Sequence, residues 1–370
     1  MHLRHTTLSL LLPMTLLLTG CGNGNQRSLV SATGTIYECL VVIPGNALSS
    51  ESLDKLSALQ QRTSTGGAYD EPIQTYYDMV RSVMAEPMPC MPQIEPYFQC
   101  THVTPQAFDN LLKPTRNILQ VDVNPQKYTH TQTRYFNDVW SHPQAVCRIQ
   151  TPAIDSLTDY WLQNGEQIRE WFIRSEMSRQ AYFYRASTDK EARKAVRAAT
   201  GADMLIPEEY MLIQDTILRT PDPCHVVWCC NNKGSMRRDL IVYAYPYTSD
   251  STFTRTFLCD KRDEVLGRLV TATVPGSHMG TEYRVFPPQM RPLTVQQDGY
   301  AAEIRGLWKM LDGEAMGGPF VSHTRLNYQT AQVVTAEVFV FASGQKKRNA
   351  LRQAEAILYT MQLPQDKIGD

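Results

Sequence analysis

Apolar and polar positions follow one period in the early part of the chain and another from Ile154 onward. Tyr37 to Ile43 is a short apolar run closed by Pro44-Gly45 and predicts a buried strand; Asn117 to Val123 and Ala145 to Ile149 predict two more. Ser49 or Ser50 can cap a helix through Leu59, and Thr104-Pro105 starts another through Leu112, because Pro suits the first turn. Residues 61 to 92 carry little pattern, with a loop at Thr63-Ser64-Thr65-Gly66-Gly67. Beyond Ile154, Leu157, Trp161, Ile168, Trp171 and Phe172 fall on one helical stripe. That long helix and a shorter one, Asp189 to Ala199, are expected to close a first domain, with Thr200-Gly201 as punctuation.

The second half reads as strands, a helix, more strands and a last helix. His225 to Cys230 and Asp239 to Tyr245 form the arms of a hairpin through Asn231-Asn232-Lys233-Gly234. Phe253, Phe257, Leu258, Val265, Leu266 and Leu269 mark an amphipathic helix. Strands follow at Tyr300 to Lys309, Pro319 to Leu326 and Val333 to Ala342, and the closing helix buries Leu351, Ala354, Ile357, Leu358 and Met361. The order argues for α+β: two domains with mostly antiparallel sheets packed by helices. The domains are expected at residues 36–200 and 203–363. In element order the second is similar to the PsbP/Mog1-like sandwich, and such a likeness carries no function.

Ahead of the first strand stands a different kind of segment. Arg4 is followed by an apolar run from Leu8 to Leu18 and then small residues, the three-part pattern of a secretory signal. The run is about half the roughly 20 apolar residues that a spanning helix needs. Leu18-Thr19-Gly20-Cys21 resembles the bacterial lipobox. The resemblance implies removal of residues 1–20, diacylglycerol on the Cys21 thiol and a further acyl chain such as palmitate on the new amino group. Acyl chains anchor firmly, at about 0.8 kcal/mol per buried methylene. Residues 21–35, opening Gly22-Asn23-Gly24-Asn25, are expected to be a flexible tether. No acidic cluster follows Cys21, which favours an outer membrane and its periplasmic face.

Without residues 1–20 the chain keeps 35 Lys+Arg against 37 Asp+Glu, a balance that gives nucleic acid no electrostatic footing. Eight cysteines remain after Cys21. Cys90 and Cys100, flanking a Pro-rich stretch, are the most credible disulfide pair in an oxidising compartment. Cys224, His225, Cys229 and Cys230 match no zinc spacing and read as small buried hydrophobes, so no metal and no cofactor is expected. There is no H-E-x-x-H, no G-x-S-x-G elbow and no Lys-Ser/Thr after the glycines at 313 to 318. Gly276-Ser277-His278-Met279-Gly280 reads as a loop. Tyr243, Tyr245 and Tyr247 share a strand face, which the helix from Phe253 is placed to cover.

One polar constellation can be assembled. If Tyr300 to Lys309 and Pro319 to Leu326 pair across the Gly-rich turn from Leu311 to Gly318, matching their apolar faces brings Glu303, Arg305, His323 and Arg325 together. Two arginines and a histidine beside one carboxylate would suit a carboxylate or phosphate ligand; a solvated face with cross-strand ion pairs is the plainer alternative.

Lys113-Pro114-Thr115-Arg116-Asn117, Asp138-Val139-Trp140 with His142-Pro143-Gln144, Tyr245-Pro246-Tyr247, Arg305-Gly306-Leu307-Trp308-Lys309 and Met316-Gly317-Gly318-Pro319-Phe320-Val321-Ser322 together resemble a lipoprotein family of unknown function from Bacteroidota. The late stretch Arg348-Asn349, Arg352-Gln353 and Glu355 to Tyr359 fits it as well. The resemblance implies a cell-envelope lipoprotein and supplies no activity or site residue. The expected partners are therefore a membrane, through the lipid anchor, and an envelope protein or anionic ligand. The sequence favours a non-enzymatic binding or assembly module; the alternative is an enzyme acting on envelope polymers through the polar cluster of the second domain.

Overall fold

In the computed structural model, residues 29–63, 72–219, 222–296 and 298–367 are described; Cys21 and the leader lie outside them. The first half runs β1 (Val30–Ser31), β2 (Glu38–Val42), α1 (Ser50–Thr63), α2 (Tyr76–Met84), β3 (Gln99–Val103), β4 (Asn117–Val123), β5 (Gln132–Asn137), β6 (Ser141–His142), β7 (Ala145–Thr151) and α3 (Ser156–Ala186). Five of these strands form a sheet in the order β3-β2-β4-β7-β5. Its first three pairings are parallel and only β5–β7, at the edge, is antiparallel. Parallel strands need long crossovers, and the helices α1 and α2 between β2 and β3 supply one.

The second half runs α4 (Lys190–Thr200), β8 (Met211–Leu218), β9 (Cys224–Asn231), β10 (Arg237–Pro246), α5 (Arg255–Leu269), β11 (His278–Glu282), β12 (Gln289–Pro292), β13 (Ala301–Leu311), β14 (Gly317–Asn327), β15 (Gln332–Phe341) and α6 (Arg348–Leu358). Its eight strands form one antiparallel sheet, β11-β13-β14-β15-β10-β9-β8, with β12 also on the β13 edge. The chain is thus α+β, with antiparallel pairing predominant overall. Both long hairpins fall where the sequence puts them: Asp239 opposes Cys230, and Glu303 opposes His323. Gly318 is required in the second, because a Cβ there would stand 2.0 Å from the Val340 carbonyl oxygen.

The large sheet is covered twice. On one face α5 joins a cluster with Tyr243, Tyr245, Ile304 and Trp308, so the first two tyrosines are sealed as expected, while Tyr247 stays half-buried against Phe253 and Tyr300. On the other face lie α4 and α6. The helix α4 carries Ala192, Val196 and Ala199 on one stripe, and that stripe meets β9 and β10 rather than the small sheet. The expectation that it closes the first domain is corrected accordingly. Nor do the halves keep separate interiors: one apolar cluster includes Val41, Met79 and Phe172 as well as Val338, Leu351 and Ile357. The helix α6 bridges them, packed against α3 and against β10, β14 and β15. Its first turn is capped by a residue from far upstream, the buried Glu95, which accepts from the Lys347 and Arg348 N–H groups at 2.7 and 3.0 Å.

Two further local readings are corrected. The helix expected from Thr104-Pro105 to Leu112 stops as a single 3-10 turn, Pro105–Ala107. The Asp109 carboxylate takes the N–H groups of Leu111 and Leu112, offering that backbone an alternative to helix. The segment Gly276 to Gly280 is a turn at Gly276 that runs straight into β11. Cys90 and Cys100 do not pair: Cys90 lies against the Arg305 carbonyl, and Cys100 stands opposite Cys39.

An ion pair ties α4 to the chain's end. Asp203 bonds Arg193 at 2.8 Å and also Arg197, while its backbone exchanges two hydrogen bonds with Gln362. Hydrogen bonding from Arg193 outweighs burial and brings the carboxyl down to about 2. A depressed carboxyl stabilises the fold above its unfolded value, near 4, and that contribution is lost as pH falls through about 2. Asp203→Asn is expected to be less stable by about 1–2 kcal/mol at neutral pH, with the deficit vanishing in acid. Urea midpoints across pH check this, and a deficit constant with pH would refute it.

Candidate functional site

Among the four residues singled out from the sequence, the fold brings three together. Glu303 is fully buried on β13, and its carboxylate accepts from Arg305 at 2.7 Å, from His323 at 3.2 Å and from Arg291 at 2.7 and 3.0 Å. Burial opposes its ionisation, yet Arg305, His323 and Arg291 outweigh burial and hold the carboxyl well below its ordinary value. Arg305 turns its other end to Glu355 of α6, which also pairs with Arg352 at 3.1 Å. Arg325 points elsewhere and forms a fork with Asp366 at 2.6 and 2.8 Å. The strand faces are as read, but the face taken as solvated lies beneath α6, and Arg305, His323 and Arg325 are each less than one-tenth exposed. The helix itself carried the signal: Arg352 and Glu355 sit among its apolar residues rather than on the solvent side.

The first half offers a more open arrangement. Between α3 and the edge formed by β1, β6 and the end of β5 lies a cleft of about 780 Å³. The helix presents Trp171, Ser175, Ser178 and Tyr182 to it at spacings of four, three and four, with Arg174 and Arg179 beside them. The floor is Arg116, just ahead of β4, backed by Glu176 of α3. There Glu176, 3% exposed, accepts from Arg116 at 3.0 and 2.7 Å, from Arg179 at 2.9 Å, from Asn117 at 2.7 Å and from the Tyr37 N–H. Burial raises the Glu176 carboxyl, and Arg179 and Arg116 more than compensate, so it is ionised and shared by two guanidinium groups. Arg179 donates also to Asn117, and its Nε is buried with no acceptor. Arg174 is exposed and makes no ion pair among the described residues.

The opposite wall is a tight loop. Asp138 adopts φ 55°, accepts the Gln144 N–H at 2.8 Å and meets His142 Nδ1 at 2.9 Å, leaving Nε2 without a hydrogen bond among the described residues. Burial disfavours the Asp138 carboxylate, but Gln144 and His142 prevail and its carboxyl sits below the ordinary value. The strand β1 completes the wall by parallel pairing with β6, Val30 to Ser141 and Ser31 to His142. Counting Arg116, Arg174 and Arg179 of the lining against Asp138 and the Glu176 that Arg116 and Arg179 share behind it, and leaving His142 out, the arrangement holds an excess of one positive charge. These residues come from several separated segments, none of which is a motif of known chemistry; the apolar stripe read on α3 shares only Trp171 with the cleft, and Ser175, Ser178, Arg179 and Tyr182 were missed.

Fold and cleft together define an α+β protein built from two units, a mixed sheet with its long helix and a large antiparallel sheet. The comparisons divide the chain in the same place. Residues 189–360 match the family model described as Domain of unknown function (DUF4837), and residues 74–185 match that described as Domain of unknown function (DUF8532). The break between them falls at the end of α3 and leaves α4 with the large sheet, where its packing puts it. No curated protein matches the chain.

Proposed function

We propose that this protein is a lipid-anchored binding module of the cell envelope, held at Cys21 on the periplasmic face of an outer membrane, whose cleft takes a ligand bearing one carboxylate or phosphate. The observation that carries the binding site is the charge imbalance: two arginines share one buried glutamate, and among the described residues the Arg179 Nε has no acceptor and Arg174 has no ion pair. Arginine suits such ligands because its planar fork matches two oxygens at once. The aromatic side chains of Trp171, Tyr182 and Phe183 offer an apolar surface for the rest of the molecule. The cluster around Glu303 is closed beneath α6, where Arg305, His323 and Glu355 are all buried, so it supports stability rather than binding.

The anchor is supported by the signal pattern and the Leu18-Thr19-Gly20-Cys21 box. Cells expressing Cys21→Ala should yield no protein labelled by fatty acid, and continued labelling would end the anchor reading. Calorimetry with glucuronate and glycerol phosphate tests the cleft. Arg174→Gln is expected to weaken binding about tenfold, since a charge-assisted hydrogen bond contributes roughly 1.5–3 kcal/mol and this one is partly solvated, while the melting temperature holds. If neither compound binds the unaltered protein, the cleft is not an anion site.

A further inference from the structure

We infer that the anion taken by the cleft is the phosphate of an anionic lipid headgroup, in the same membrane that holds the anchor, so that the cleft mouth is the membrane-facing surface of the body. This rests on the two readings just given, the cleft and Cys21, and three observations carry it further. The first is charge. A phosphodiester headgroup carries a single negative charge, which matches the excess of one in the cleft. Its oxygens can take the open guanidinium of Arg174, and beside it stands the lining residue Arg179, whose side chain is only 9% exposed and whose buried Nε has no acceptor among the described residues.

The second is the rim. Tyr182 and Phe183 are 66% and 52% exposed at the cleft edge, and Tyr135, also exposed, packs against Trp171 with ring centroids 4.6 Å apart and planes tilted by 34°. Aromatic side chains left in water gain little, whereas at headgroup level the apolar rings and the polar groups of the tyrosines and Trp171 are both satisfied. Arginines among them add about 1 kcal/mol each near an anionic leaflet. The third is placement. The wall strand β1 begins at Val30, so the chain leaves the described body beside the cleft, with Leu29 and Val30 themselves exposed. Only eight peptide steps separate Leu29 from Cys21. Even fully extended they span at most about 28 Å, which keeps this side of the body close to the bilayer.

The lipidated full chain, reconstituted into phosphatidylcholine vesicles with or without phosphatidylglycerol, tests this through tryptophan quenching by a lipid with a spin-labelled headgroup. Quenching should rise several-fold with phosphatidylglycerol, vanish in Trp171→Phe and fall with added salt. In Arg174→Gln and Arg174→Glu the phosphatidylglycerol dependence should weaken about fivefold or more, with unchanged melting as the folding control. Equal quenching in both kinds of vesicle overturns the proposal, as does a chain with no lipid at Cys21. If soluble glycerol phosphate binds but quenching ignores phosphatidylglycerol, the headgroup assignment fails and the cleft reading stands. If neither ligand registers, both fail.

Discussion

Glu303→Leu is expected to lower the stability of the protein by about 3–5 kcal/mol, the range for breaking a buried ion pair from one side. The carboxylate neutralises Arg305 and Arg291 and orients His323, and the apolar side chain would leave Glu355 as the sole acid for Arg305 and Arg352 beneath α6. Arg305 and Arg352 already each have one buried nitrogen without a partner, so the network has no spare acceptor to offer. The loss is a large fraction of the 5–15 kcal/mol that holds a typical domain folded. Urea unfolding should show the midpoint falling at constant slope. Adding Arg305→Met should recover part of it, because the two changes act on one network. A loss under about 1 kcal/mol would mean that the charges under α6 are solvated after all.

An effect of similar size is expected on the other face of the sheet. Arg262 of α5, 2% exposed, donates to the fully buried Glu337 at 2.7 to 3.0 Å and to Thr281 at 2.9 Å, and its guanidinium lies 3.8 Å from the Phe320 ring centroid. Burial already lifts the Glu337 carboxyl above its ordinary value despite Arg262. Arg262→Met removes the positive charge paired with it and lifts it further. An acid raised in the folded state is a liability once the pH exceeds its unfolded value, because the unfolded chain ionises freely and the folded one does not. The variant should therefore lose about 3–5 kcal/mol at neutral pH and much less near pH 4. Arg262→Met with Glu337→Leu should regain most of the loss, as well-packed apolar residues often replace a buried pair. A pH-independent deficit, or a double variant no better than the single, would contradict this.

Much of the large sheet could be read in advance because its strands are long and their turns are chemically explicit. The pairs β9–β10 and β13–β14 fall on the expected residues, and α3, α5 and α6 follow their apolar stripes. What escaped reading lacks that contrast. Met211, Leu212 and Ile213 are consecutive apolar residues and all exposed on β8, so the sequence of this edge strand opens with no alternation of apolar and polar residues. The helix α2 is marked mainly by its capping box, Thr75 with Asp78, inside a stretch without evident period. The parallel order of the small sheet is set by crossovers, which strand patterns do not reveal. For the site, sequence reasoning found the right strand faces and the wrong solvent exposure. It treated one face of the sheet as open, because nothing local to β13 or β14 shows that a helix from the end of the chain will cover them.

The cap on α6 also dictates an order of events. Glu95 must wait for residues 252 and 253 positions later before its carboxylate finds the two N–H groups it serves, and the Tyr184 hydroxyl waits 169 positions for the Gln353 carbonyl. Contacts over such separations close large loops before they return any stabilisation, and they slow folding. A chain emerging with its N-terminus first therefore cannot finish its first half early. Both halves lock together only when the last helix has arrived, so a nascent chain stays open, and dependent on whatever shields its apolar strands, until nearly its full length is free.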